Sequence, residues 1–256
     1  MIKRIYVPSN FPVPEILGNI EIVCKERGYE LIKAEEKLCR EHFLLNRGSL
    51  ALLSPTGYGM GLKSADFRII PTYTAGLVGF GAKASLYFNS GLSTIDKIGC
   101  NYPDDFMMVI GNILLSERYE IHSELEKAQG SVSVLLEKYS TAMAYGNDEN
   151  ISSMDISEDW FETFEIPLLL GFWVVRNEEE PEDVIELTKA FAMDDLPEEV
   201  EVDYRHASHN DNDEREGRII TRWNEDISTA LEQTLELLYY HKILPEIPAV
   251  KIYGIN

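Results

Sequence analysis

Between residues 4 and 57 the chain alternates two hydrophobic periods, and this limits its fold more than any other feature. Residues 4–8 and 49–53 are compact apolar runs of strand length, and residues 29–33 form a third strand candidate between them. After Pro14, which suits an early helix position, Ile16, Leu17, Ile20 and Val23 recur at helical spacing until Gly28 stops them. A second helix is predicted near 37–46. A strand–helix–strand–helix–strand order of this kind builds a parallel α/β sheet.

Further along, the pattern predicts long apolar strands at 67–71 and 74–88, the second punctuated by Gly76, Gly79 and Gly81, and a short strand at 95–100. Pro103-Asp104-Asp105 opens a helix that runs to about Arg118. A helix at 131–140, a strand at 142–145, a short acidic helix at 155–162, an apolar strand at 167–176 and a helix at 182–192 follow. Residues 199–204 and 218–222 alternate like the two strands of an antiparallel hairpin joined by a polar loop. An amphipathic helix at 227–240 and a last strand at 250–253 close the chain. There is no internal repeat or low-complexity linker, so two lobes would have to be joined by strands within a sheet.

A hydrophobic fraction of 45% over 256 residues is enough for a sizeable core. The formal net charge of −21 argues against nucleic acid, whose binding depends on Lys and Arg neutralising phosphates, and against an anionic membrane surface. Cys24, Cys39 and Cys100 are odd in number and match no metal spacing, as expected of reduced structural thiols. Neither a signal-peptide pattern nor an apolar run of membrane-spanning length is evident, which predicts a cytoplasmic protein. No cofactor motif or metal site is expected: there is no glycine-rich phosphate loop and no nucleophile elbow. A homodimer is left open.

Three blocks carry a family resemblance. The first is Leu50-Ala-Leu-Leu-Ser-Pro-Thr-Gly-Tyr58 with Asp66-Phe-Arg-Ile-Ile-Pro71. The second is Ile113-Leu-Leu-Ser-Glu-Arg-Tyr119. The third, and most specific, is the run from Asp155 through Trp160 to Pro167, which leads into Gly171-Phe-Trp-Val-Val-Arg176. Together they resemble the menaquinone-biosynthesis proteins of the futalosine route, chiefly chorismate dehydratase, with 1,4-dihydroxy-6-naphthoate synthase as a sister. The resemblance implies an α/β, two-lobed type 2 periplasmic-binding-protein-like fold with mixed sheets and two crossover strands, here assigned to 81–88 and 168–175. Lobe 1 would then comprise 1–91 and 168–256, and lobe 2 would comprise 92–167. A small molecule would sit in the cleft between them, at strand ends and helix amino termini.

Candidate ligand-binding residues follow from this placement, each beside a plainer role. Ser9 and Asn10 precede the first helix and either hold a carboxylate or cap that helix. The family keeps an Asn in this loop, one residue less tightly spaced than Asn10-Phe11-Pro12. Ser54, Thr56 and Tyr58 end the third strand and either bond a polar ligand or form an ordinary turn. Thr72 and Thr74 stand at the next strand boundary. Trp173 either walls the cleft or fills the core.

Two departures bear on chemistry. Chorismate dehydratases usually place a Ser-Arg-Thr-Ser type run where this chain has Pro103-Asp104-Asp105-Phe106-Met107. Carboxylates at a helix start stabilise it by roughly 0.3–1 kcal/mol each, yet would repel a dicarboxylate such as chorismate. The naphthoate synthase carries a His-Glu pair near Tyr145-Gly146-Asn147-Asp148, and Asn147 cannot act as a general base. Asp148 is either a base or a solvated loop carboxylate. His206, His209, Asp211 and Asp213 fit no standard metal spacing and read as a solvated loop.

The expected function is therefore a carbon–oxygen lyase resembling chorismate dehydratase, acting through positioning and fixed hydrogen-bond donors. The alternative is a non-catalytic solute-binding protein of the same fold whose ligand is not a dicarboxylate.

Overall fold

The computed structural model describes residues 3–45, 47–61, 66–90, 94–148, 151–176, 181–202 and 215–254. They fall into two compact units. One comprises Met1–Gly76, Leu169–Val200 and Ile220–Asn256, the other Leu77–Leu168 and Glu201–Ile219.

The first unit grows from the alternating amino-terminal segments. β1 (Arg4–Pro8) buries Ile5, Tyr6 and Val7, and a 3-10 turn at Pro14–Leu17 carries proline at its start. α1 (Ile20–Arg27) ends at Gly28, whose left-handed backbone (φ 72°) returns its N–H to the Cys24 carbonyl. β2 (Glu30–Ala34), α2 (Glu36–Leu44), β3 (Leu50–Leu53), α3 (Pro55–Gly61) and β4 (Phe67–Gly79) follow. β1 is parallel to both β2 and β3, with Arg4 opposite Glu30 and Ile5 opposite Leu50.

The second unit begins with β5 (Ala84–Phe88), β6 (Lys97–Cys100), α4 (Phe106–Tyr119), β7 (Glu124–Lys127) and α5 (Val132–Lys138). It continues with β8 (Thr141–Tyr145), β9 (Ser153–Asp155) and α6 (Ile156–Phe164). These strands form a mixed five-stranded sheet in the order β7-β6-β8-β5-β9. β6 is parallel to β7 and β8, whereas β5 is antiparallel to β8 and β9. The helices are fastened by Arg118 of α4, which donates to Asp159 and Glu162 of α6 at 2.7 Å each.

The chain then enters β10 (Leu168–Arg176), α7 (Pro181–Phe191), β11 (Glu199–Glu201), β12 (Gly217–Arg222) and α8 (Glu225–Tyr240). All nine residues of β10 are buried, which explains its unbroken apolar sequence. It pairs antiparallel with β3, Trp173 opposite Leu52, in a mixed seven-stranded sheet ordered β11-β12-β4-β10-β3-β1-β2. Arg176 donates to the Phe43 and Leu44 carbonyls at the end of α2, with its guanidinium against the Phe43 and Phe67 rings. Asn224 caps α8, its side chain accepting from the Ile227 N–H at 2.9 Å. Among the described residues no helix is long and apolar enough to cross a membrane.

Several expectations are corrected. Residues 74–88 are not one strand: β4 runs through Pro71 to Gly79, and β5 starts afresh at Ala84. The crossing expected at 81–88 is made instead within β4, since β5 hydrogen-bonds along its whole length to β8 and so belongs to the five-stranded sheet. The chain first passes from one unit to the other at Gly76–Leu77, within β4. Ser54–Gly59 is not a loop, because α3 starts at Pro55. The last strand reduces to a single parallel bridge between Ile69 and Ile252. The two strands of the expected hairpin pair antiparallel, with Val202 N–H bonded to Gly217 and Thr221 N–H to Glu198, while residues 203–214, with the expected polar loop, lie outside the described residues.

Where β4 ends, two backbones pass at contact distance. Gly79 has φ 68°, and a Cβ there would stand 2.5 Å from the Glu216 carbonyl oxygen. A Cβ on Gly217 would stand 1.8 Å from the Phe80 oxygen. Only glycine fits both positions.

Candidate functional site

In the first unit, the carboxyl ends of β1, β2 and β3 lie side by side in the order β3-β1-β2. Ser9 and Asn10 follow β1 in an exposed turn held by the Ser9 N–H on the Ala34 carbonyl at 2.8 Å. Neither caps a helix. The 3-10 turn begins after Val13 with no side-chain cap, and Asn19, which precedes α1, points its amide at the Ala192 carbonyl.

Ser54 follows β3 and is 4% exposed. Its hydroxyl accepts the Gly57 N–H at 3.2 Å and its carbonyl accepts that of Tyr58, so it starts α3 ahead of Pro55. The hydroxyl proton goes to Glu36, the first residue of α2. Thr56 is 2% exposed, and its hydroxyl oxygen is buried with no hydrogen-bond partner among the described residues.

The other candidates of this unit are used internally. The Tyr58 hydroxyl donates to the Ala249 carbonyl at 3.4 Å and accepts the Lys251 N–H at 2.9 Å. Burial pushes this phenol up to about 12. Thr72 donates to Thr188 at 3.0 Å, and Thr74 to the Gly171 carbonyl at 2.8 Å. Trp173 is fully buried against Phe191, ring centroids 5.1 Å apart, which makes it a core residue.

In the second unit, the carboxyl ends of β6 and β8 share one edge. Asp104 is exposed, whereas Asp105 is 5% exposed and accepts the Tyr145 hydroxyl at 3.0 Å. Asp105 occupies the position before α4 but makes no side-chain cap bond. Burial, with Asp105 and Asp104 adding their charge, pushes the nearby Cys100 thiol up to about 12. Asn147 stands in the turn after β8, with the Ser153 hydroxyl 3.5 Å from its carbonyl oxygen. Beside it, the Asp148 N–H donates to the Tyr87 hydroxyl, which itself donates to the Gly146 carbonyl. His206, His209, Asp211 and Asp213 lie outside the described residues.

The structure thus places Ser9, Asn10, Ser54 and Thr56 at one sheet end, and Asp104, Asp105 and Asn147 at another. Sequence reasoning missed Glu36 and Tyr145, since both act through partners 18 and 40 residues away. It assigned no task to Asp155, the head of the most specific block. That carboxylate is 2% exposed and takes the Ser157 and Glu158 N–H groups, the Ser157 hydroxyl, and the Gly81 and Ala82 N–H groups. With Trp160 fully buried, the block fixes the fold of the second unit.

No family model matches this sequence, and no curated protein does. Solved structures do resemble it. Protein AF1704 from Archaeoglobus fulgidus superposes with a TM-score of 0.61 at 12% identity, over 94% of this chain and 98% of that one. The periplasmic aliphatic sulphonate binding protein SsuA from Escherichia coli gives 0.53 at 9% identity, over 100% and 94%. The alkanesulfonate-binding protein SsuA from Xanthomonas axonopodis pv. citri, bound to MOPS, gives 0.50 at 11% identity, over 97% and 96%. At these identities the likeness concerns architecture alone. With its two mixed sheets and flanking helices, the chain has the type 2 periplasmic-binding-protein-like fold.

Proposed function

We propose that this protein binds a small molecule at the carboxyl-terminal strand ends, without chemistry, and that its ligand is not a dicarboxylate. The observation that carries this reading is Asp105. Chorismate dehydratases have hydroxyls and amides at the start of the corresponding helix, able to receive an anion. Here a buried carboxylate occupies that point and is already bonded to Tyr145. A second anion brought within hydrogen-bond reach would meet like charge where water screens poorly. The Tyr58 phenol is engaged as well, holding residues 249–251.

The second reading is a chorismate-dehydratase-like lyase of menaquinone biosynthesis, eliminating water from a cyclic hydroxy acid. The Asp155–Pro167 block favours it, although its residues here serve the fold. Purified protein incubated with chorismate, followed by chromatography of substrate and enol-ether product, separates the two. No turnover above a protein-free control is expected. Turnover that is lost on Asn10→Ala would establish the lyase instead.

A further inference from the structure

We infer that the second unit carries a separate site, fitted to a neutral saccharide, at the edge of its sheet opposite Asn147. Phe88 ends β5 and stands opposite Thr141, the first residue of β8, whereas Asn147 follows the last. Beside Phe88 lies an open pocket of about 650 Å³, a size usual for small-molecule sites. The buried and half-buried part of its lining is apolar: Phe88, Leu136 and Ile151. Ile151 packs against the cluster of Tyr87, Leu135, Leu136 and Ala142, which backs this wall. Ser133, Leu136 and Glu137 are spaced i, i+3 and i+4 along α5 and present one helix face to the pocket. The walls are tied together by backbone carbonyls. The Asn89 amide nitrogen donates to that of Leu136 at 2.8 Å, and the Phe88 N–H to that of Ser152 at 3.0 Å.

The exposed part of the lining selects the class of ligand. It consists of Ser90, Ser133, Ser152, Asn89 and Glu137. Among the described lining residues there is no Lys, Arg or His, and Glu137 repels an anion. An ammonium would meet one exposed carboxylate, a pairing that water and salt reduce to little. It would also offer the serine protons nothing, because it has no acceptor. A serine hydroxyl both donates and accepts, and a carboxylate accepts. Asn89 commits only its amide nitrogen among the described residues, which leaves its side-chain oxygen as a further acceptor. A ring bearing several hydroxyls can both give protons to these groups and take them. Its C–H face suits an apolar wall that includes an aromatic ring.

The full chain would be titrated by calorimetry with glucose, galactose, maltose and lactose, beside ethanolamine and acetate as amine and carboxylate probes. Ser133→Trp fills the pocket from an exposed position, and Glu137→Ala removes an exposed acceptor. Both leave the apolar core untouched, so the free protein should unfold at nearly the same temperature. The expected result is binding of at least one saccharide, weakened about tenfold or more by Ser133→Trp and about threefold to tenfold by Glu137→Ala. Saccharide binding that is lost on Asn10→Ala and indifferent to both α5 variants would belong to the other sheet end and overturn the inference. Binding of ethanolamine or acetate alone, or of none of the six compounds, would overturn it as well.

Discussion

Replacing Asp155 should unfasten the loop between β4 and β5 from α6, and a graded series can apportion the loss. The Asp155 Oδ1 atom serves the first turn of α6, at 3.0 Å from the Ser157 and Glu158 N–H nitrogens and 2.7 Å from the Ser157 hydroxyl. The Oδ2 atom takes the Ala82 N–H at 2.9 Å, where the backbone is left-handed at φ 51°. The Gly81 contact, at 3.4 Å, is long and counts for less. Asp155→Ser retains a helix cap but cannot reach the loop, so it strands the Ala82 N–H at a cost of about 1–3 kcal/mol. Asp155→Ala also removes the cap, adding about 1 kcal/mol. Denaturant unfolding with amide hydrogen exchange read at residues 81, 82, 157 and 158 would follow both variants. Exchange at Ala82 should quicken in both, and at Glu158 only in Asp155→Ala. If neither variant lost more than about 0.5 kcal/mol, the buried carboxylate would not be a fastening point and the reasoning would fail.

Further outcomes follow from packing and burial. A Cβ on Gly99 would stand 2.4 Å from the Tyr139 ring, so Gly99→Ala should destabilise by about 1–3 kcal/mol in denaturant unfolding. Burial holds the thiols of Cys24 and Cys100 up at about 11 and about 12, so alkylation near pH 8 should be slow when folded and fast in denaturant. Because these folded thiols keep protons that unfolded ones lose, stability should fall as pH climbs from about 9 towards 11–12. Cys100→Ala should flatten that decline.

The parallel β1–β3 core was legible because each strand and helix there has an unmixed hydrophobic period. β4 was not, since Pro71 reads as a strand end and yet lies within a strand of thirteen residues. β7, with its sequence Glu-Leu-Glu-Lys, lacks an apolar run because it lies at a sheet edge, where charged residues are tolerated. At the candidate sites, residue types such as Ser54 and Asp105 could be singled out from their place after strands. Their partners could not, because reaching Glu36 or Tyr145 depends on strand order, which periodicity does not encode. The same gap turned Asp155, a buried cap, into an apparent family marker with an unknown task.

The position of β10 between β3 and β4 has a consequence for synthesis on the ribosome. All five strands of the second sheet lie in one uninterrupted stretch, from Ala84 to Asp155. β3 and β4, by contrast, have no common neighbour until residues 168–176 have emerged. The sheet that starts later is therefore the first that can be complete, while nascent β1–β4 wait with unpaired edges that a second nascent chain could engage.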